Sequence, residues 1–304
     1  MISSCLRLTL VLASAGRLAA AGADFVETYD TIYNSLTVEK RGSIVELRAR
    51  ARGTYALESA IDLTDPLQLV VPYTRSLYAG LFFQPKPNRV LMIGLGGAGF
   101  HRLFTASYPE SLLQTVELDP KVFELCRTRL AFQPTERTPV TVMDGRMFVK
   151  RDRQTWDWII LDAFRGGFVP PHLKTEEFYR ECAARLGDKG VFVTNLHATS
   201  QLYYSDLKTL QAVFPQVVLF ETAGRGNVIA CAVKYKEPVM TDPKNWPATS
   251  ELLRPLFVDR LDLDVIRREH VAIPDLPRSA RVMTDDFSPV EFLDTVKTNN
   301  TGTR

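Results

Sequence analysis

The chain has 304 residues, of which 45% are hydrophobic and 24% are charged, and its formal net charge is +2. This composition is typical of a soluble globular protein with one large domain, or with one domain and a small addition. The small net charge argues against nucleic acid or an anionic membrane as an obligatory partner. The four cysteines are scattered and form no C-x-x-C pair, so we predict neither a disulfide framework nor a metal site.

The first 23 residues permit two interpretations. Arg7 precedes an apolar run from Leu8 to Ala15, and Ala21-Gly22-Ala23 has the small residues of a cleavage site, as in a secretory signal peptide. Arg17 interrupts the apolar region, which favours an ordinary N-terminal extension instead. The rest of the sequence has no apolar run of the length needed to span a membrane.

Residues 24–64 are predicted to form a small N-terminal β-region. Segments 35–39 and 43–47 alternate apolar and polar residues on either side of Arg41-Gly42, which indicates a hairpin, and segment 55–61 is a further strand. Asp65 and Pro66 then predict the start of a helix over 67–81, with Asp65 as its N-cap.

Residues 65–236 are predicted to form a Rossmann-like domain, and residues 237–304 a C-terminal extension. Strands and helices alternate here, which favours an α/β fold with a doubly wound, mostly parallel sheet of seven strands. The strands are predicted at 90–93, 113–118, 140–143, 158–161, 191–195, 217–220 and 228–233. Helices are predicted at 120–130, 175–186 and 205–214, with Gly187 closing the second. The last two strands are close in sequence and predict an antiparallel edge.

A glycine turn follows the first strand of this domain. Gly94, Gly96 and Gly99 have the spacing G-x-G-x-x-G, which nicotinamide, flavin and S-adenosylmethionine proteins share. Glu117 follows Gly99 by 18 residues and ends the next strand, where a carboxylate can accept hydrogen bonds from two ribose hydroxyls.

Three more acidic residues follow strands of the predicted sheet. Ligands of open α/β sheets bind at the carboxyl ends of the strands. Asp144 is therefore a candidate for the amino group of an adenine, and Asp162 for the reacting part of the ligand. Asp119 is predicted to be a helix cap instead. The pattern as a whole predicts a ligand that contains a nucleoside.

At these residues the sequence resembles the spermidine synthase (polyamine aminopropyltransferase) family, which has the class I S-adenosylmethionine-dependent methyltransferase fold. The resemblance extends over about residues 33–234, and the closing segment 284–289 is also similar. Its most specific segments are 90–99, 116–120, 144–145, 159–162 and 169–178.

The resemblance implies a donor ligand, S-adenosylmethionine or its decarboxylated form, and no metal. It also implies a small-molecule acceptor and a homodimer. The residues that it assigns to the ligand are Gly94, Gly96, Gly97, Glu117, Asp144, Gly145 and Asp162. Since such donors are made in the cytosol, a cytoplasmic location is favoured, and a secreted or periplasmic one follows if the first 23 residues are a signal peptide.

Two positions depart from the family pattern. Aminopropyltransferases carry an acidic residue inside the glycine turn, where this chain has Gly97-Ala98-Gly99, and a catalytic Asp three residues after the strand-four Asp, where this chain has Arg165. An arginine cannot accept a proton, and it repels a polyammonium substrate. Aminopropyl transfer to putrescine is therefore not expected.

The remaining candidate residues follow from these replacements. Arg165 and Arg75 are candidates for binding a carboxylate, that of methionine or of an acidic acceptor, and the alternative for Arg165 is a solvated loop residue. Asp162, Tyr73 and His172 are the catalytic candidates, and the alternative for His172 is loop packing.

Three functions stay open at this point. The first is a transferase that moves an aminopropyl or methyl group from an S-adenosyl ligand to a small acceptor, and it is the one we expect. The second is an NAD-dependent oxidoreductase, because the glycine turn and Glu117 fit that class too. The third is a non-catalytic protein that binds a nucleoside.

Overall fold

The computed structural model describes residues 23–51, 54–165, 168–222, 226–236, 242–252 and 260–290. Segment 1–22, for which a signal peptide or an extension is predicted, lies outside the described residues. Within them, no helix is long and apolar enough to cross a membrane. The predicted divisions at 23/24, 64/65 and 236/237 stay predictions.

The N-terminal β-region is a four-stranded antiparallel sheet in the order β1-β2-β3-β4. Its strands are β1 (Phe25–Asp30), β2 (Ser35–Arg41), β3 (Ile44–Ala51) and β4 (Thr54–Asp62). The predicted hairpin is confirmed, and its turn contains Gly42 at φ +59°. The buried face of this sheet, with Leu36, Val38 and Leu47, packs in one cluster with Leu125 of the main domain.

The main sheet has eight strands in the order β12-β10-β11-β9-β8-β5-β6-β7. Its strands are β5 (Arg89–Ile93), β6 (Leu112–Glu117), β7 (Val140–Val142), β8 (Trp156–Leu161), β9 (Leu186–His197), β10 (Gln216–Glu221), β11 (Asn227–Val233) and β12 (His270–Val271). The predicted doubly wound α/β fold is confirmed. The two-residue β12 adds an eighth strand to the predicted seven, because the C-terminal extension pairs with β10.

Strands β7, β6, β5, β8 and β9 run parallel, and β11 and β10 complete the sheet in antiparallel pairs. The described helices are α1 (Tyr73–Ser76), α2 (Gly99–Ser107), α3 (Pro120–Thr128), α4 (Gly145–Arg151), α5 (Glu176–Arg185), α6 (Tyr203–Val213), α7 (Thr249–Leu252) and α8 (Leu263–Arg268). Short 3-10 helices lie at Leu77–Phe82, Pro171–Leu173 and Pro243–Asn245. From β5 the chain first adds β6 and β7 on one side of β5, and it then adds β8 and β9 on the other side. A ligand site is therefore expected between the carboxyl ends of β5 and β8.

The central strands are apolar on both faces because helices cover both sides of the sheet. Val90 and Met92 belong to one buried cluster, and Leu91 and Ile93 belong to the cluster on the opposite face. This is why the parallel strands appear in the sequence as continuous apolar runs.

The predicted helix over 67–81 is confirmed only from residue 73 onwards, and its predicted start is wrong. Helical structure begins only with α1 at Tyr73 and passes directly into the 3-10 helix, while residues 63–72 form turns and irregular backbone. Pro72 explains the difference, since a proline inside a helix lacks the N–H donor and its ring collides with the carbonyl four residues earlier. Pro72 is tolerated here because it immediately precedes α1.

Two further local predictions are wrong. Asp65 is not a helix N-cap, and its carboxylate pairs with Arg260. Gly187 does not close α5, because the chain passes directly from Arg185 into β9, which already includes Gly187.

The glycine turn after β5 packs closely against β4. A Cβ atom on Gly97 would lie 2.4 Å from Ser59 Oγ and 2.7 Å from Ser59 Cβ, closer than side chains can approach. A glycine at position 97 is therefore required by the contact between the two sheets.

We expect Gly97→Ala to lower the free energy of unfolding by about 1–3 kcal/mol through this overlap. Adding Ser59→Gly removes both overlapping atoms, so the double variant should be more stable than Gly97→Ala alone, even though a strand glycine itself costs about 0.5–1 kcal/mol. Urea unfolding of the wild type, both single variants and the double variant measures this. A double variant no more stable than Gly97→Ala would contradict the packing argument.

Candidate active site

A cleft with a cavity volume of about 100 Å³ lies at the carboxyl ends of the parallel strands, between the main sheet and the N-terminal sheet. Its polar lining comes from both sheets and from the loop after β8. The residues of this lining that carry a polar or ionisable side chain are Tyr33, Asn34, Glu58, Tyr73, Glu117, Asp144, Asp162, Arg165 and His172.

The cleft begins at the glycine turn. Gly94 has φ +100°, and a Cβ atom there would lie 2.4 Å from the carbonyl oxygen of Asp162. Only glycine satisfies both conditions. Gly96 also lines the cleft, whereas Gly97, which the resemblance assigned to the ligand, faces Ser59 and is not part of the lining.

Glu117 ends β6 and is buried, with 9% of its surface exposed. Its two oxygens accept hydrogen bonds from the backbone N–H groups of Leu95 (2.9 Å) and Asp119 (2.8 Å). Each carboxylate oxygen has a second lone pair, so the group can still accept ribose hydroxyls. Burial raises the pKa of Glu117. Asp119 caps α3 through the N–H of Lys121, as predicted.

Asp144 and His172 meet in the cleft. Asp144 Oδ1 caps α4 by accepting from the N–H of Met147 (2.9 Å), and its Oδ2 lies 2.7 Å from His172 Nε2. The hydrogen bond to His172 holds the pKa of Asp144 below its ordinary value. The residues predicted for adenine and for catalysis therefore contact each other directly. Gly145 also lines the cleft and packs on Ile93, where a Cβ atom would lie 2.4 Å from Ile93 Cγ2.

Asp162 follows β8 and accepts two side-chain hydrogen bonds. Tyr73 Oη donates to Oδ2 (3.1 Å) and Asn195 Nδ2 donates to Oδ1 (3.1 Å). Burial raises the pKa of Asp162, and burial also raises the pKa of Tyr73 well above its ordinary value. Tyr73 therefore acts at neutral pH as a hydrogen-bond donor that orients Asp162.

Glu58 lines the same cleft and was not identified from the sequence. It lies on β4 where the pairing with β3 shifts by one residue: Leu47 faces Ser59, Arg48 faces Leu57, and Glu58 has no opposite residue. Its Oε1 is buried and makes no hydrogen bond among the described residues. Burial, followed by the nearby Asp162 carboxylate, raises the pKa of Glu58 to about 8.

The two candidate arginines have different positions. Arg165 lines the cleft as an exposed residue, and its Nε donates to the carbonyl oxygen of Tyr33 (3.0 Å). Arg75 is outside the lining, and its Nη2 is bonded to the buried carboxylate of Glu269 (2.7 Å). The structure therefore places Arg165 at the cleft and gives Arg75 a partner elsewhere.

Comparison with known proteins identifies the family. A family model described as the spermine/spermidine synthase domain matches residues 73–223. The polyamine aminopropyltransferase of Vibrio vulnificus is 34% identical over 231 residues, which cover 74% of this chain and 76% of that protein. The chain belongs to the spermine/spermidine synthase family. The crystal structure of a probable spermidine synthase from Corynebacterium glutamicum superposes on this chain with a TM-score of 0.61 and 26% identity. The superposition covers 70% of this chain and 81% of that structure.

This chain is also similar to methyltransferases. The eEF1A lysine and N-terminal methyltransferase of Bos taurus is 26% identical over 199 residues, which are 59% of this chain and 28% of that larger protein. The segment matched by the spermine/spermidine synthase domain begins at Tyr73, after β4 has ended. Glu58 therefore lies outside the residues that this family model matches.

The buried carboxyl of Glu58 predicts a specific pH dependence of stability. Its pKa is about 8 in the folded chain against 4.5 for the ordinary group, so between these values the folded state holds a proton that the unfolded state has lost. Stability should then decrease as the pH rises. We expect Glu58→Gln to remove this contribution, so that the wild type loses at least about 1 kcal/mol more than the variant between about pH 5 and 8.

Urea unfolding at several pH values in this range measures the difference. Glu46→Gln is the matched control, because Glu46 is on the neighbouring strand and pairs with Arg48 outside the cleft. Parallel stability curves for the wild type and Glu58→Gln would show that this carboxyl titrates normally.

Proposed function

We propose that the protein is a transferase that moves an alkyl group, aminopropyl or methyl, from an S-adenosyl sulfonium donor to a small acceptor. The observation that carries this proposal is that Glu117, Asp144 and Asp162 line one cleft together with the glycine turn. Membership of the spermine/spermidine synthase family and the methyltransferase relatives support the same class of reaction.

In this proposal each strand end binds a different part of the donor. Glu117 accepts the ribose hydroxyls, Asp144 with Gly145 contacts the adenine, and Gly94 and Gly96 allow the backbone to approach the ligand closely. Asp162 lies at the junction of β5 and β8 and orients the transferred group. Among the described residues, the lining carries four carboxyl groups and two basic side chains, Arg165 and His172, which suits a cationic sulfonium.

The transfer step depends on alignment of the acceptor with the donor, and it needs no covalent bond to the protein. The nucleophile attacks the carbon next to sulfur, the C–S bond breaks, and its electron pair stays on sulfur as a neutral thioether. Positive charge on the donor is lost from sulfur during this step. The hydrogen-bonded side chains of Tyr73, Asp162 and Asn195 form an ordered surface that favours one attack geometry, and such positioning lowers the barrier to reaction.

A homodimer, implied by the resemblance, is part of the proposal.

The by-product identifies the transferred group. Incubation of the full chain with S-adenosylmethionine should release S-adenosylhomocysteine if a methyl group moves, and incubation with decarboxylated S-adenosylmethionine should release methylthioadenosine if an aminopropyl group moves. Mass spectrometry with a mixture of amines, hydroxy acids and amino acids as acceptors distinguishes the two. Nucleoside binding without either by-product would favour the non-catalytic alternative, and binding of NAD in their place would favour an oxidoreductase.

Glu117→Ala should weaken methylthioadenosine binding by about 100-fold, because two hydrogen bonds to a charged, buried acceptor are lost. Calorimetric titration measures the affinity, and a thermal melt checks that the variant is folded. Glu110→Ala, a substitution of a residue whose side chain is 91% exposed, is the matched control and should bind as the wild type does. Equal affinity of wild type and Glu117→Ala would rule out this residue as the ribose acceptor.

Arg165→Ala tests the carboxylate role of the exposed arginine. If Arg165 contacts the methionine carboxylate, the variant should lose affinity for S-adenosylmethionine and keep its affinity for the decarboxylated form, which has no carboxylate. An exposed ion pair contributes less than about 1 kcal/mol, so the expected loss is at most about fivefold. The ratio of the two dissociation constants is the measurement, and an unchanged ratio would place the carboxylate elsewhere.

A further inference from the structure

The closing motif of the sequence, at residues 284–289, has no part in the transfer step, yet it packs behind one wall of the cleft. It belongs to segment 280–290, which runs from α6 to the beginning of α5. The Met283 N–H donates to Thr209 Oγ1 (2.9 Å), and the Met283 carbonyl accepts from the Glu176 N–H (2.8 Å). Met283 itself is fully buried. The segment is therefore a packed part of the fold that joins two helices of the main domain.

Arg146, the second residue of α4, is bonded to two carboxylates at once. Its side chain is only 9% exposed. The guanidinium donates to both oxygens of Glu181 on α5 (2.9 and 2.8 Å) and to both oxygens of Asp285 in segment 280–290 (2.6 and 2.8 Å). Two parallel hydrogen bonds to one carboxylate fix the orientation of a guanidinium as well as its position. Asp285 is held in its turn by the Thr175 hydroxyl, which donates to Oδ1 (2.8 Å).

The same arginine supports the wall of the cleft that the proposed function assigns to adenine. Arg146 follows Asp144 by two residues, and its Nη1 donates to the carbonyl oxygen of His172 (3.3 Å). Ser288 adds a second contact to this loop, because its hydroxyl donates to the carbonyl oxygen of Pro171 (3.4 Å). Asp144 and His172 are bonded to each other in the cleft. One guanidinium therefore lies behind both members of this pair.

The two carboxylates contact different parts of the guanidinium. Glu181 accepts from Nε and Nη2, so α4 and α5 stay joined even without Asp285. Nη1, the atom that donates to the His172 carbonyl, has Asp285 Oδ1 as its carboxylate partner. A buried cation that loses a carboxylate turns towards other acceptors or water, because an uncompensated charge in the interior is costly. Loss of the Asp285 charge therefore acts first on the side of Arg146 that holds the His172 loop.

We propose that Asp285 is a positioning residue for the adenine end of the donor: through Arg146 it holds Asp144 and His172 in the geometry that binds the base. This inference rests on the proposed transferase function, because that function assigns Asp144 to the adenine. It gives the C-terminal extension a role in donor binding, although Asp285 itself is not part of the cleft lining.

The test compares two nucleosides that differ in the base. Methylthioadenosine has the exocyclic amino group from which Asp144 accepts in the proposed function, and methylthioinosine has an oxygen at that position. The full chain is titrated with each nucleoside by calorimetry, as wild type, Asp285→Asn, Asp144→Ser and the double variant. Serine at position 144 keeps the cap of α4 but is too short to bring an oxygen to the base. Asp286→Asn is the matched control, because this exposed neighbour carries the same charge.

We expect the wild type to prefer methylthioadenosine and Asp285→Asn to lose part of this preference, while its affinity for methylthioinosine changes little. The ratio of the two dissociation constants should fall about fivefold, at the lower end of the usual coupling between linked sites, because the Asp285 side chain is 43% exposed. Asp144→Ser should lose the preference, and adding Asp285→Asn should then have no further effect, since two residues that act through one contact are not additive. Asp286→Asn should bind both nucleosides as the wild type does.

Each variant should fold, because Glu181 still pairs with Arg146, and a thermal melt checks this. An unchanged ratio in Asp285→Asn would overturn the assignment. An equal loss of affinity for both nucleosides would also overturn it, since a general loosening of the fold does not discriminate between bases. So would an effect of Asp285→Asn as large in Asp144→Ser as in the wild type, because Asp285 would then act elsewhere.

Failure of the proposed function is seen in the first titration and has a different form. A wild type that binds neither nucleoside contradicts the S-adenosyl site, and the inference fails with it. A wild type that binds both nucleosides equally keeps that site but contradicts adenine recognition by Asp144, and with it the role of Asp285.

Discussion

The close approach of β5 and β8 at their carboxyl ends determines how the cleft is built. The N–H of Asp162 donates to the carbonyl of Ile93 (3.0 Å), and Gly94 lies so near the Asp162 carbonyl that no side chain fits between them. This contact fixes the backbone of Asp162 at the point where the winding of the sheet reverses. Tyr73 and Asn195 can then donate to the same carboxylate from different elements, so the Asp162 side chain is held from two sides.

The N-terminal sheet completes the cleft, and its contact with the glycine turn sets the distance between the two walls. Ser59 packs against Gly97, and the neighbouring residue, Glu58, is left as the extra residue of the strand pair and lines the cleft. Ser59 packs the two sheets together and the adjacent Glu58 lines the cleft. The contact between Ser59 and Gly97 therefore positions the Glu58 carboxyl group. The glycine at position 97 therefore matters for the contact with β4.

The sequence predicted the features that depend on local pattern. Apolar runs predicted the buried parallel strands, and their ends predicted the positions of Glu117 and Asp162. It could not predict features that depend on long-range contacts: Arg75 pairs with Glu269, 194 residues away, and the bulge at Glu58 depends on register with β3. The proline at position 72 was a local signal against a helix that begins at residue 67, and the apparent helix start at Asp65 and Pro66 was followed instead.

Arg165 and Glu58 differ in burial, and this difference decides how strongly each charge acts within the one cleft. Arg165 is exposed at the rim, where water and salt screen its charge within about 8–10 Å. Glu58 Oε1 and the neighbouring Asp162 lie in the interior, where screening is weaker and each charge acts more strongly. A cation at that depth of the cleft would therefore interact mainly with the two carboxyl groups. Arg165, whose Nε donates to the Tyr33 carbonyl, lies where an anionic part of a donor or acceptor would extend towards solvent.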